Sequence, residues 1–250
     1  MEQKTPHSAG NMIESMFKAG AHFAFSKSRR SPTVAKYIFG AKNKVEIFDL
    51  EKTQALLEKA KAFVHSLAKE GKTILIVGGK SEARAAVKAS AETLSLPFVD
   101  GRWIGGTLTN FVQIRKRVEK MERLTSEREK GELAKYTKKE RLLIDREIAN
   151  LERFFSGIVS MKELPKAILV VDPKKEHTAI KEAQDIGIPV IAVAGSDCDI
   201  TVANYPIIGN DSSKTSIEFF MNEVVKAYQA GKLEKVEAPK VAPATATVKA

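Results

Sequence analysis

The chain alternates short, almost uninterrupted runs of β-branched residues with stretches of helical periodicity, and few architectures accept that alternation. Strands are expected at 44–48, 73–77, 97–99, 167–171, 190–193 and 205–208. Runs that are apolar at nearly every position suit strands covered on both faces. Between them, 52–69, 81–94, 174–186 and 213–230 carry the i, i+3, i+4 spacing of amphipathic helices. Strand and helix in turn give parallel βαβ units, so the expected fold class is α/β with a mainly parallel sheet.

Local chemistry marks the boundaries. Asp172 followed by Pro173 offers an N-cap oxygen and then a residue whose missing N–H costs nothing in a first turn. Gly71, Gly187 and Gly231 stand where helix ends call for left-handed residues.

The segment 108–158 departs from this rhythm, with few glycines and a high density of both charges. Phe111, Ile114, Val118, Met121 and Leu124 form one apolar stripe, and Ile144, Ile148, Leu151, Phe155 and Ile158 form another. Two helices paired antiparallel through narrow seams are expected, with Gly131 near the bend, as an arm standing out from the core. The expected organisation is a globular domain from 1–107 and 159–231, a helical hairpin at 108–158, and a flexible tail at 232–250, where Lys, Glu, Pro, Ala, Thr and Val mix without period.

Composition narrows function. With 43% hydrophobic residues the chain can build a sizeable core, and 41 Lys+Arg against 31 Asp+Glu leave a net charge of +10. Such a surplus favours RNA, DNA or an acidic partner over a neutral metabolite. The single cysteine, Cys198, cannot close an internal disulfide, and the histidines His7, His22, His65 and His177 share no metal spacing. No cofactor or metal is expected. The apolar runs are too short to cross a membrane, and Met1 to Gly10 is polar without a signal-type apolar stretch. A reducing, cytoplasmic setting is the expectation.

Catalytic constellations do not assemble. Gly78-Gly79-Lys80-Ser81 follows a strand, but the position where a P-loop needs its first glycine is Ile74, so the pair reads as a tight βα turn. Asp197 and Asp199 flank Cys198 and should raise its thiol pKa rather than activate it; acids so placed more often cap a short turn.

Basic groups say more. His22, Lys27, Arg29, Arg30, Lys36, Lys42, Asn43 and Lys44 crowd a segment that also holds Phe23, Phe25, Tyr37 and Phe39. Cations among aromatic rings join phosphate neutralisation to base stacking. The cations read as contacts, with Lys80 a further candidate, whereas the rings read as core. The run Gly101 to Phe111 holds the only tryptophan, Trp103, beside Arg102, with Thr109 and Asn110 before the first hairpin helix and Arg115, Lys116 and Arg117 on its first turns. Thr107 or Thr109 could cap that helix. Cations at a helix N-terminus oppose its dipole, a demand that a phosphate would meet.

These motifs together make the sequence similar to the bacterial type of small-subunit ribosomal protein two, the S-two family. The likeness lies in Tyr37-Ile38-Phe39-Gly40, Ile47 to Thr53, Val77-Gly78-Gly79-Lys80, the run Arg102 to Phe111, Val171-Asp172-Pro173, Gly187 to Ala192, Cys198-Asp199, and Tyr205-Pro206-Ile207 with Gly209-Asn210-Asp211. It extends from about Met12 to Gly231. The resemblance implies a flavodoxin-like, doubly wound α/β domain with an inserted antiparallel coiled-coil hairpin, no enzymatic activity, and binding to small-subunit ribosomal RNA. It further implies neighbouring small-subunit proteins as partners, late assembly, and docking of the large multidomain ribosomal protein that captures messenger RNA. Where the family usually has Gly-His-x4-Trp-Asn-Pro-Lys, this chain has Ala24-Phe25 and then Arg30-Ser31-Pro32-Thr33.

Overall fold

The computed structural model describes residues 6–237. It begins with a helix not among the expected elements, α1 (Pro6–Lys18). Two strands follow, β1 (Ile38–Lys42) and β2 (Val45–Phe48), paired antiparallel in a ribbon separate from the main sheet. This corrects the expectation of a parallel-sheet strand at 44–48. The cause is local: Asn43 and Lys44 take φ of 52° and 66°, the double positive φ whose twist suits a two-residue hairpin turn. Val45 is exposed, so β2 lacks the burial at every position that β3 (Ile74–Val77) shows.

Asp49 caps α2 (Leu50–Glu70) by accepting the N–H groups of Glu51 and Lys52, and Gly71 ends it at φ 72°. After β3 come α3 (Arg84–Leu94), β4 (Phe98–Val99), α4 (Phe111–Glu129) and α5 (Lys138–Phe155). The chain then runs through β5 (Ala167–Val171), α6 (His177–Asp185), β6 (Val190–Ala194), β7 (Tyr205–Ile208) and α7 (Lys214–Glu237). The main sheet is parallel throughout, in the order β4-β3-β5-β6-β7. This α/β architecture follows from strands whose alternate side chains serve two cores. Ile74, Ile76, Leu169, Val171, Ile191 and Val193 pack with Leu57 and Val64 of α2, Val87 of α3 and Phe220 of α7. Leu75, Val77, Ile168, Val170 and Ala192 pack instead with Ile180 of α6, Val118 of α4 and Phe155 of α5. Each large apolar side chain fully buried this way contributes about 1.5–3 kcal/mol.

Two boundary expectations and one of packing are corrected. Asp172 caps a turn rather than a helix: it sits at φ 65°, its Oδ1 accepts the Lys175 N–H at 3.3 Å, its Oδ2 lies 3.1 Å from Lys80 Nζ, and α6 starts only at His177. Gly231 does not end a helix, because α7 continues to Glu237 and into the stretch expected as tail; residues 238–250 lie outside the described residues. The extension is held by Glu234, which pairs with His65 at 3.1 Å and Lys69 at 3.2 Å on α2. Nor do the stripes of α4 and α5 face only each other. Ile114, Val118, Met121, Leu151 and Phe155 share their buried cluster with the sheet, so one end of the pair is docked on it. Between the two helices, Gly131 turns at φ 74° and Thr137 with Glu140 forms a capping box. Lys120 pairs with Glu147, and Arg128 with Glu152 at 3.9 Å.

Gly231 is needed for close approach: a Cβ there would lie 2.4 Å from the His65 carbonyl oxygen. Gly231→Ala is expected to push α7 off α2 and cost about 1–3 kcal/mol in urea unfolding. The exposed neighbour change Lys232→Ala should stay within about 0.5 kcal/mol.

Candidate nucleic-acid interface

The segment leading into the ribbon is anchored by its backbone. Phe25 N–H donates to Ser196 Oγ at 2.9 Å, Ser31 N–H to the Ser196 carbonyl at 2.8 Å, and Phe48 N–H to the His22 carbonyl at 2.8 Å. The segment is therefore fastened to the loop after β6. Two of its rings correct the expectation that they are core, Phe39 at 81% and Phe23 at 50% exposed, whereas Tyr37 packs against the cluster of Val34, Phe48 and Ile208. Around them Lys27, Arg29, Lys36, Lys42, Asn43 and Lys44 are exposed. The Arg29 guanidinium lies 4.2 Å from the Phe25 ring centroid and 3.6 Å from Asp197, and Lys36 Nζ lies 5.2 Å from the Tyr37 centroid. A short, rigid ribbon thus presents cations and a bare ring together.

Other expected contacts are turned inward. His22 is 8% exposed and stacks between Phe17 and Phe23, at centroid distances of 4.3 and 4.0 Å. Burial lowers its pKa, favouring a neutral ring. Arg30 bonds the buried Glu46 at 2.8 Å. Lys80 lies between Asp172 and Asp211, at 3.1 and 3.2 Å; burial would lower its pKa, but the Asp211 and Asp172 charges outweigh that and hold it protonated. Arg115 donates to the Val159 carbonyl at 3.0 Å and pairs with Glu119 and Glu122. Arg30, Lys80 and Arg115 are thus paired by the protein itself.

The run Gly101 to Phe111 is organised around one carboxylate the sequence did not single out. Glu182 of α6 accepts hydrogen bonds from Trp103 Nε1 at 2.9 Å and from the N–H groups of Gly106 at 2.8 Å, Leu108 at 3.0 Å and Thr109 at 3.3 Å, with Thr109 Oγ1 also at 3.3 Å. Trp103 is correspondingly buried, 7% exposed. Neither Thr107 nor Thr109 caps α4, and Asn110 at the cap position makes no side-chain cap bond. Glu182 thus places a carboxylate just ahead of the start of α4. Outside the knot, Asn110, Lys116 and Arg117 line a groove of about 790 Å³ beside α5, joined there by Lys120, which periodicity alone did not mark as a contact. Arg102 is exposed elsewhere on the same run.

The remaining polar loops behave structurally. Asp199 accepts from Thr201 N–H and Oγ1 at 3.0 and 2.8 Å, capping a short 3₁₀ turn. Burial first, and then Asp172, pushes the Cys198 thiol pKa up to about 12, so it is not a nucleophile near neutral pH. The Gly78-Gly79 turn is one of close approach: a Cβ on Gly79 would meet the Gly101 carbonyl oxygen at 2.4 Å. Among the described residues no helix is long and apolar enough to cross a membrane.

Burial alone would raise the Glu182 pKa, but the bonds from Trp103, Leu108, Gly106 and Thr109 outweigh it and leave it below its ordinary 4.5. A lowered folded pKa means the stabilisation is full above the ordinary carboxylate range and is lost as pH falls through the folded value. Glu182→Ala strands several buried donors and should cost on the order of 3–5 kcal/mol in urea unfolding at neutral pH. The gap between wild type and Glu182→Gln should narrow from about pH 7 to about pH 3.

Comparison with known proteins gives this arrangement a family. The family described as "Ribosomal protein S2" matches residues 16–231. The chain is 40% identical over 220 residues to "Small ribosomal subunit protein uS2" of Sulfurimonas denitrificans, covering 88% of this chain and 85% of that protein. It is 38% identical over 239 residues to the protein of the same name from Nitratiruptor sp., covering 93% and 90%. With that of Coprothermobacter proteolyticus it shares 39% over 220 residues, covering 88% and 82%. Ribosomal protein S2 is a structural protein and not an enzyme. A profile match across the α/β core, the Glu182-centred run and the α4–α5 pair, with relatives of this identity and coverage, establishes that the chain belongs to the ribosomal protein S2 family.

Proposed function

We propose that this chain is a structural component of the bacterial small ribosomal subunit, in the cytoplasm, and that it binds small-subunit ribosomal RNA. The observation that carries the reading is Phe39, 81% exposed on the β1–β2 ribbon with Lys42, Asn43 and Lys44 at the turn beside it. Leaving a large ring in water forgoes burial energy, and stacking on an unpaired base recovers it. The flanking cations neutralise phosphates. Lys27, Arg29 and Lys36 extend this surface, and Asn110, Lys116 and Arg117 form a second one along α4. His22, Arg30, Lys80, Trp103, Thr109 and Arg115 serve by holding these surfaces in place, since their side chains are engaged internally.

In this reading the sheet, whose order runs β4-β3-β5-β6-β7, is a flavodoxin-like, doubly wound scaffold. The α4–α5 pair is an inserted antiparallel coiled-coil hairpin, docked at one end and free to touch RNA or a neighbouring ribosomal protein at the other. Support for late assembly and docking of the mRNA-capturing multidomain ribosomal protein belongs to the same proposal, resting on family likeness.

Two charge-reversal pairs separate the surfaces. Lys42→Glu with Lys44→Glu, and Lys116→Glu with Arg117→Glu, should each lower occupancy on small subunits in sedimentation. In filter binding to small-subunit RNA, each lost phosphate contact reduces the salt slope by roughly 0.7–0.9. Phe39→Ala should weaken RNA binding by about 1–3 kcal/mol while leaving the urea midpoint unchanged. Full occupancy for both pairs would refute the reading.

A further inference from the structure

The order β4-β3-β5-β6-β7 reverses direction between β3 and β5: the chain leaves β3 toward one edge and returns through β5 on the other side. Loops leaving the carboxyl ends of two such strands diverge and open a crevice between them, the place where open α/β sheets bind ligands. Here a cleft of about 520 Å³ opens at that point, lined among others by Gly79, Arg84, Arg102, Lys175, Glu176 and His177. The glycine-rich turn after β3 and the turn after β5 form its floor.

The cleft is cationic. Arg84, Arg102, Lys175 and the His177 ring line it against the single carboxylate of Glu176. Glu176 is buried, and its Oε1 accepts the Gly79 N–H at 3.1 Å. Lys175 Nζ donates to the Gly79 carbonyl at 3.2 Å. The guanidinium groups of Arg84 and Arg102, both exposed, have no hydrogen-bond or ion-pair partner among the described residues. They contrast with Arg30, Lys80 and Arg115, which the protein pairs itself. Arg84 and His177 are also the first residues of α3 and α6, and neither helix has a side-chain cap, so both helix starts add partial positive charge here. Two planar forks facing a polar cleft match the bidentate geometry of a phosphate.

We propose that this switch-point cleft is a phosphate-binding site, with Arg84 and Arg102 as its principal ligands and Lys175 and His177 as supporting cations. The inference rests on the RNA-binding reading in taking a backbone phosphate of ribosomal RNA as the source; a free phosphate or mononucleotide presents the same chemistry. Arg84, Lys175 and His177 enter as binding residues that composition did not mark, since Arg84 lies far in sequence from Lys175 and His177 and only the fold brings them to Arg102.

The test compares the full chain with Arg84→Ala/Arg102→Ala, and with Arg84→Lys/Arg102→Lys. In filter binding to small-subunit RNA across a salt series, the alanine pair should lower the slope by about 1.5, two contacts' worth, and the lysine pair should restore most of it. In amide NMR of wild type, inorganic phosphate or AMP that shifts Gly79, Arg102 and His177, with no shift in the alanine pair and an unchanged RNA slope, supports the site with a free phosphate as its source. An unchanged RNA slope together with unmoved wild-type amides under phosphate and AMP overturns the proposal, and the wild-type arm decides even if a variant fails to fold. Should the slope respond to Lys42→Glu with Lys44→Glu but not to the alanine pair, the RNA-binding reading stands and this site falls as an RNA contact.

Discussion

The buried carboxylate of Glu182 is the interaction on which the arrangement of the molecule turns. A charge taken out of water is costly unless its lone pairs are filled, and here one indole, one hydroxyl and three backbone N–H groups fill them. Those donors come from the run that leads from β4 into α4. Satisfying the anion therefore fixes the direction in which α4 leaves the sheet, and with it the groove that carries Lys116 and Arg117. On the first turns of α4, Arg115 pairs with the helix's own Glu119 and Glu122, while Lys116 and Arg117 line the groove.

A second constraint is the double burial of the sheet. Because β3, β5 and β6 are covered on both faces, polar side chains gather outside the sheet, on the loops at its carboxyl ends, the helices, and the segment that carries the β1–β2 ribbon. Lys80, Asp172 and Asp211 form an internally paired knot at one part of that rim, whereas Arg84 and Arg102 have no side-chain partner among the described residues at another.

Much of the fold was legible in the residues. Five of the six expected strands lie in the main sheet, because continuous β-branched runs such as Ile74 to Val77 and Ala167 to Val171 have no other economical environment. The sixth misled, since its place was decided by the positive φ at Asn43 and Lys44. The candidate site was less legible. Glu182 looks like any acid on an amphipathic helix, and only folding brings it to Trp103. Likewise a sequence shows that Phe39 sits among lysines but not whether its ring faces the core, and Arg30 and Lys42 read alike until Glu46 is seen beside one of them.

The ribbon also bears on the life of the chain outside a particle. Phe17, Phe23 and Phe39 are each at least half open to water, and such surface invites self-association whenever nothing covers it. Repulsion among like-charged copies, from a net charge of +10, keeps them apart only while ionic strength is low enough to leave it unscreened. The surplus lysines and arginines thus act as a colloidal safeguard for free copies of the chain.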